Sequence, residues 1–264
     1  MDYQQFAEEH HLKIEIEDRV AILRLNRPEK RNAIDFALHD GLERIFRPLG
    51  TDPDVGAIVI TGEGKGFCAG GDMVGFYPDD PGPFDLMRGP RQLIHEMVNC
   101  EAPVISAING VAAGLGATIA LLADIIYMAD DARIGDTHVK MGLVAGDGGI
   151  GIWPLLIGLH RAKELLMGGE LVSGPAAAEM GLVNHCVPAS ELLSRAVAHA
   201  RRLAEGPPVA VRWTKMVLNQ HLRHSMNLTM DAGLATELLS VETEDAREAG
   251  KAFKEKRSPN FRGR

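Results

Sequence analysis

The sequence predicts a mixed α/β fold in which stacked ββα units form the core and helices form the C-terminal part. Short apolar runs that end in glycine-rich turns alternate with helical patterns through the first half of the chain. After Gly158 the apolar residues recur at helical spacing, and no low-complexity linker separates the two parts. Such strand-then-helix repetition favours layered α/β packing. We therefore predict one spiral core that carries the active site, residues 1–200, and a C-terminal helical region, residues 201–264.

The individual elements follow from local patterns in chain order. Alternating residues at 14–17 and an apolar run at 20–25 predict a β-hairpin. Asp35 is positioned to cap a helix that reaches about Pro48. The proline and glycine content of residues 77–90 predicts a mobile loop. Apolar spacing further predicts strands at 57–61, 103–110, 124–128 and 133–135, and helices at 91–100, 111–123, 162–167, 175–180, 190–205, 207–221 and 227–256.

Composition restricts the class of protein. The chain of 264 residues has a formal net charge of −8, which disfavours a nucleic-acid partner. Its three cysteines cannot all pair with one another, and the polar N-terminus lacks the basic start and apolar run of a signal peptide. We therefore expect free thiols and a cytoplasmic location. The most apolar region, residues 104–129, is interrupted by polar residues and glycines, so no membrane span is expected.

Two predicted strand ends present accessible main chain. Residues 67–73, Phe-Cys-Ala-Gly-Gly-Asp-Met, follow one predicted strand and a glycine-rich turn. A second predicted strand ends at Asn109 and Gly110, and the small residues after it open a helix whose first N–H groups are unpaired. Exposed, preorganised N–H donors can stabilise an oxyanion. One glycine-rich turn is usually only a turn, but two such strand ends in one chain favour an oxyanion site.

Motifs along nearly the whole chain then carry a family resemblance. The run 65–72, Lys-Gly-Phe-Cys-Ala-Gly-Gly-Asp, and the pair of segments 109–110 and 114–116 resemble the two signatures of the crotonase (enoyl-CoA hydratase/isomerase) superfamily. Further matches in the same order occur at residues 27–33, 123–126, 181–183 and 252–257. The resemblance implies a crotonase-type ββα spiral whose C-terminal helical region forms trimers or dimers of trimers. It also implies oxyanion donors at the main-chain N–H groups of Gly71 and Leu115.

The acid and base positions depart from this family. Its hydratases place two carboxylates beside a water molecule, one as base and one as acid. By motif position the first carboxylate falls on Thr118 and the second on His138, so neither is present. A threonine cannot act as a base near neutral pH. Ordinary enoyl-CoA hydration is therefore not expected.

His138 can itself titrate near neutral pH. Asp147 follows in a glycine-rich loop, and a carboxylate on one imidazole nitrogen would leave the other nitrogen as a base. We predict a His138–Asp147 dyad, the alternative being a supporting His138 and an Asp147 that caps a turn. The pair is similar to that of 6-oxocamphor hydrolase, a superfamily member that cleaves a C–C bond in a cyclic β-diketone without coenzyme A. Glu237 matches a third residue there, although we favour a helix-surface position for it.

The resemblance also implies a coenzyme A site, with the coenzyme arriving as part of the substrate and no permanently bound cofactor. Basic residues near the N-terminal motif could meet phosphates, and the segment 251–264 is rich in basic residues. No metal-ligand spacing stands out, so no metal is expected. The candidate substrate-binding residues are Arg27, Lys30, Arg31, Ala69, Gly71, Asp72, Met73, Leu115, Phe253 and Lys256.

Three functions remain open at this point. The first is an enoyl-CoA hydratase/isomerase-like enzyme, a lyase or isomerase that takes an acyl-CoA thioester through an enolate. The second is a C–C hydrolase that uses the His138–Asp147 dyad on a cyclic β-diketone. The third is a catalytically silent acyl-CoA binder, which the missing glutamates permit.

Overall fold

The computed structural model describes residues 1–72 and 83–264, with the side chains of 83–88 left out. Its strands are β1 (Leu12–Glu17), β2 (Val20–Leu25), β3 (Ala57–Gly62), β4 (Val104–Ile108), β5 (Ala112–Ala113), β6 (Ile125–Ala129), β7 (Arg133–Gly135), β8 (Val172–Ser173) and β9 (His185–Val187). Its helices are α1 (Tyr3–Glu9), α2 (Phe36–Thr51), α3 (Pro83–Asn99), α4 (Leu115–Leu121), α5 (Gly149–Ile157), α6 (Leu159–Gly168), α7 (Gly174–Glu179), α8 (Leu192–Glu205), α9 (Pro208–Val241) and α10 (Glu244–Glu255).

The main sheet has the strand order β1-β2-β3-β4-β6-β9. The predicted hairpin pairs β1 and β2 in antiparallel register, and every later strand of this sheet joins in parallel. All residues of β3 and β4 are buried, as expected for parallel strands covered on both faces. Helix α2 covers this core, and Asp35 caps it by accepting a hydrogen bond from the N–H of Leu38.

A small second sheet, in the order β5-β7-β8, lies at the carboxyl ends of the main strands and positions the site. Strand β5 pairs in parallel with β7, and an isolated bridge joins Ala112 of β5 to Cys68. The predicted helix over 111–123 therefore begins later than expected, at Leu115, because Ala112 and Ala113 are used for strand pairing.

The C-terminal part contains one long helix where the sequence predicts two. Helix α9 runs unbroken for 34 residues. The polar residues near its middle do not end it, because they reach groups on neighbouring helices: Asn219 donates to Val98 O and Ser225 to Gly151 O. The break occurs instead before α10, where Thr243 caps the N–H of Ala246.

Two further predictions need correction. Helix α3 begins at Pro83, so the second half of the predicted 77–90 loop is helical; residues 77–82 lie outside the described part of the chain. Proline is well tolerated at a first helical position because its missing N–H would be unpaired there in any case. Helix α5, over residues 149–157, was not predicted, since two of its first three residues are glycines. In the described ranges, no helix is both long and apolar enough to cross a membrane.

Candidate active site

The first wall of the site is the turn that carries Gly70 and Gly71. The main chain of Ile34 pairs with this turn: its N–H donates to Gly70 O, and its carbonyl accepts from the N–H of Asp72. This parallel bridge leaves the N–H of Gly71, between them, without a main-chain acceptor among the described residues. Among the described residues, no atom lies within 4 Å of a Cβ atom added to Gly71, so this part of the structure leaves the space beside it open.

The second wall is the turn from β5 into α4. Gly114 has φ +53°, a conformation that favours glycine, and it precedes Leu115, the first residue of α4. The N–H of Leu115 therefore has no acceptor within the helix. The two walls touch, because a Cβ atom on Gly70 would lie 3.0 Å from Ala113 O. Two donor-bearing turns thus converge, which is the arrangement an oxyanion site requires.

His138 stands beside this pair of turns, in the short 3-10 helix His138–Met141. A Cβ atom on Gly114 would lie 3.4 Å from Cε1 of His138, so the imidazole is in contact with the Gly114 turn. The His138 side chain is 13% exposed. Its Nδ1 lies 2.7 Å from Oδ1 of Asp136, and its Nε2 lies 3.2 Å from Oδ2 of Asp147. Carboxylates therefore occupy both edges of the ring.

Asp147 lies between His138 and Thr118. Its second oxygen, Oδ1, accepts a hydrogen bond of 3.3 Å from the hydroxyl of Thr118. Thr118 and Asp147 are both buried. Thr118 therefore holds a carboxylate that comes from a different part of the chain.

Glu237 enters the site from α9. Its side chain is 20% exposed, and its Oε1 lies 3.9 Å from Nε2 of His138. The helix-surface position favoured from the sequence is therefore wrong. Helix α9 can lie this close to the site because its Gly233 contacts the main chain of Gly146: a Cβ atom on Gly233 would lie 3.0 Å from Gly146 O. Three carboxyl groups thus surround one imidazole.

The shared burial of these groups shifts their pKa values. Burial alone would lower the pKa of His138, but the nearby carboxylates of Asp147 and Asp136 outweigh it and hold that pKa well above its ordinary value. Burial, followed by the charge of Asp147, raises the pKa of Glu237 to about 8. Both shifts favour the protonated forms of His138 and Glu237 near neutral pH.

The structure gives Arg27 and Asp72 a role within the fold. The Arg27 guanidinium lies 3.1 Å from Asp35 Oδ2 through Nε and 3.1 Å from Asp72 Oδ2 through Nη2. It also donates to Ala33 O, and its side chain is only 13% exposed. These contacts fasten the Gly71 turn to the loop before α2, which leaves Arg27 poorly placed to meet a phosphate.

The other candidate binding residues lie in several places. Lys30 and Arg31 are exposed, and Ala69 is half-buried. Phe253 and Lys256 are exposed at the end of α10, which packs against the His138–Met141 segment. Met73 lies outside the described residues.

Part of the basic C-terminal segment is already paired within α10 and its surroundings. Arg257 pairs with Glu248 and with Glu255, and Arg264 lies 2.9 Å from Glu244. The positive charge expected for phosphate binding is therefore reduced by these ion pairs, and Arg257 and Arg264 are weaker candidates than the sequence indicated.

A metal ion has one conceivable ligand set in the described part of the chain. Asp136, His138 and Asp147 offer ligand atoms within 4.8 Å of one another. The two carboxylates, however, contact opposite nitrogens of the imidazole rather than a common point. An ion would have to displace one of these hydrogen bonds, so the donor set does not fit a metal well.

Comparison with known proteins establishes the family. The model of a family described as enoyl-CoA hydratase/isomerase matches residues 15–264. The chain belongs to this family. It is 33% identical over 254 residues to 1,2-epoxyphenylacetyl-CoA isomerase of Escherichia coli (strain K12), an alignment that covers 94% of this chain and 97% of that protein. It is 35% identical over 259 residues to (E)-benzylidenesuccinyl-CoA hydratase of Thauera aromatica, covering 95% and 98%.

Solved structures agree with the sequence comparison. A crystal structure of an enoyl-CoA hydratase/isomerase from Mycobacterium paratuberculosis superposes with a TM-score of 0.84 at 37% identity, covering 92% of this chain and 98% of that one. The predicted crotonase-type α/β fold with a C-terminal helical region is therefore confirmed. Within this fold, Asp136 is a site residue that sequence patterns did not indicate, since its only signal is its position two residues before His138.

Proposed function

We propose that the protein acts on an acyl-CoA thioester, binds the thioester carbonyl oxygen with the main-chain N–H groups of Gly71 and Leu115, and forms an enolate. The observation that carries the proposal is the convergence of two turns whose donors lack main-chain acceptors in the described part of the chain. Such donors stabilise negative charge as it develops on the carbonyl oxygen. Family membership and the CoA substrates named for its relatives support the choice of substrate class.

Proton transfer is proposed to run through His138 and Glu237. The enolate forms when His138, having passed its Nε2 proton to Asp147 at 3.2 Å, accepts a proton from a substrate carbon. His138 or Glu237, each of which favours its protonated form, then donates a proton to the enolate carbon. Isomerisation needs only one group that moves a proton between two substrate carbons, so it is favoured over hydration, which needs an acid and a base beside one water molecule.

A second candidate is water-dependent cleavage of a C–C bond in a cyclic β-diketone. What supports it is that the three residues whose sequence positions resemble those of 6-oxocamphor hydrolase lie together, with His138 3.2 Å from Asp147 and 3.9 Å from Glu237. In this reaction His138 would activate water after passing its Nε2 proton to Asp147, and the same two N–H donors would stabilise the enolate formed when the C–C bond breaks.

The proposal also covers the coenzyme A contacts, the oligomeric state and the cellular location of the enzyme. Lys30, Arg31, Phe253 and Lys256 are the exposed residues proposed to contact coenzyme A. A homotrimer or dimer of trimers is supported by exposed apolar side chains along α9, among them Trp213, at 63% exposure. A cytoplasmic location is supported by three free cysteines.

Thermal unfolding with a ligand panel tests the proposal, since a ligand that binds the native state raises its apparent stability. Acyl-CoA thioesters and free coenzyme A should raise Tm, whereas CoA-free cyclic diketones should not. The reverse result would support the C–C hydrolase. If thioesters bind but are never converted, the protein is a silent binder, and if no ligand raises Tm the acyl-CoA proposal fails.

A matched pair of variants tests the oxyanion site itself. Gly71→Pro removes the N–H donor, whereas Gly71→Ala keeps it, and the open space around this position admits a methyl group. Removing one such donor costs about 10²–10³-fold in kcat in other enzymes. We expect that loss in Gly71→Pro and near-normal turnover in Gly71→Ala, with CD spectra verifying that both fold.

A further inference from the structure

Asp136 contacts His138 more closely than Asp147 does. Its side chain is 1% exposed, and its Oδ1 lies 2.7 Å from Nδ1 of His138. The same oxygen accepts the main-chain N–H of His138 at 3.1 Å. Because an ionised carboxylate can only accept, Nδ1 must carry the proton of this contact. Nε2 is then the nitrogen that can give up or take a proton.

Asp147 occupies the other edge of the ring. It meets Nε2, at 3.2 Å, and its remaining oxygen is engaged by Thr118. Asp147 also favours a proton on the nitrogen that it faces, but its contact is 3.2 Å long against 2.7 Å for Asp136, so the closer carboxylate holds its proton more firmly. The two aspartates must therefore have different roles.

The packing around Asp136 fixes the position of its carboxyl group, whose buried Oδ2 has no hydrogen-bond partner among the described residues. Its Oδ2 lies against Gly149, the first residue of α5, where any side chain would collide with it. The N-terminus of a helix carries partial positive charge and favours an anion nearby. Within the described residues, the charged groups that face the imidazole are Asp136, Asp147 and Glu237, and none of the three pairs with a lysine or arginine.

We propose that Asp136 is the positioning residue that keeps the proton on Nδ1 of His138, and that Asp147 and Glu237 are the carboxyl groups that exchange a proton with Nε2. This assignment reverses the dyad expected from the sequence, in which Asp147 orients the ring. It deepens the proposed function by naming the reactive nitrogen, but the position of the proton does not depend on any substrate.

NMR of the full-length protein labelled with ¹³C,¹⁵N-histidine tests the proposal without a ligand. A His138→Gln variant identifies the His138 signals, and ¹⁵N shifts separate a protonated ring nitrogen from an unprotonated one. In the wild type, once His138 has lost one proton at high pH, Nδ1 should remain protonated. A wild-type spectrum in which Nε2 keeps the proton would overturn the proposal, whether or not any variant folds.

Three variants then separate the two aspartates. Asp136→Asn should mix the two neutral tautomers of His138 and lower its titration midpoint by one pH unit or more. Asp147→Asn should lower the midpoint but leave the proton on Nδ1, and Thr118→Val, which removes only the partner of Asp147, should also leave it there. His10, whose Nδ1 faces Phe6 O, is the internal control, and its ring ¹⁵N shifts should be the same in all variants. If the Nδ1–H tautomer of His138 is lost in Asp147→Asn but kept in Asp136→Asn, the orienting role belongs to Asp147 instead.

Because no substrate is involved, failure of this experiment differs from failure of the proposed function. An enzyme inactive on every thioester could still show the Nδ1–H tautomer. An active enzyme with the opposite tautomer would keep its proposed function and lose only the role assigned to Asp136.

Discussion

Oδ2 of Asp147 lies 3.2 Å from Nε2 of His138, and both side chains are largely shielded from water. In a buried site a charge–charge contact of this length is worth more than at the surface, because water screens it less. The protonation of one residue therefore depends on the other. This interdependence makes the pair testable by mutation.

We expect His138→Ala to lower kcat by about 10²-fold or more on any substrate that the wild type converts, because a general acid–base group is lost. Asp147→Asn should lower kcat more than it raises KM, since its charge matters most when the imidazole changes protonation. The double variant should be little worse than His138→Ala, because the two residues act as a unit. Steady-state kinetics on all three, with exposed Asp131→Asn as control, provide the measurement. Additive losses would indicate independent roles.

A second prediction concerns Gly114. Both Gly114 (φ +53°) and Gly158 (φ +79°) have backbone conformations that suit glycine, so alanine at either should cost about 1–3 kcal/mol of stability. Only Gly114→Ala also alters the site, since its Cβ would touch Cε1 of His138 at 3.4 Å and its backbone precedes the Leu115 donor, whereas no described atom lies within 4 Å of a Cβ at Gly158. We expect similar losses of Tm in the two variants but a fall in kcat only in Gly114→Ala. Equal kcat values would show that His138 does not need its contact with this turn.

A third prediction concerns stability against pH. Burial raises the pKa of Glu237 to about 8 in the folded protein, from 4.5 when exposed. Between these values the native state keeps a proton that the unfolded state has released, so this group lowers stability as pH rises. Glu237→Gln mimics the protonated form and should remove that loss. Its Tm advantage over the wild type should therefore grow from pH 5 to pH 8, and exposed Glu179→Gln should show no such trend. A constant Tm difference would contradict the raised pKa.

A fourth prediction concerns hydration of crotonyl-CoA, which should be slow or absent. The sequence resemblance predicts Thr118 and His138 at the positions where hydratases use two carboxylates, and general acid and base catalysis each typically supply about 10²–10⁴-fold. Absorbance of the enoyl thioester gives the rate directly. Turnover like that of an ordinary hydratase would show that His138 and Glu237 together can replace both glutamates.

The fold could be predicted from the sequence where local pattern and tertiary structure agree. The hairpin before Asn26 and the Asp35-capped helix are examples, because their alternation and capping signals are local. Helix α9 was divided wrongly, since the partners of Asn219 and Ser225 lie on helices distant in the chain. Local spacing contains no information on such partners.

The candidate site could likewise be predicted only in part, because some of its contacts join residues that are distant in the chain. Motif order identified Gly71 and Leu115 as candidate donors, and the position of His138 attracted attention because the family expects a carboxylate there. Asp136 went unnoticed because an aspartate two residues from a histidine is common. Its role depends on burial against Gly149, which only the folded chain creates.

The glycine-to-glycine contact between Gly146 and Gly233 has a consequence for enzyme engineering. Where Gly146 meets Gly233, the main chains of α9 and of the loop that carries Asp147 are in direct contact. Neither segment can therefore shift at this point without moving the other. A library that varies residue 146 or 233 would displace Glu237 and Asp147 together and so mostly yield inactive clones. Attempts to change substrate specificity should keep glycine at both positions and should not vary α9 and the Asp147 loop independently of each other.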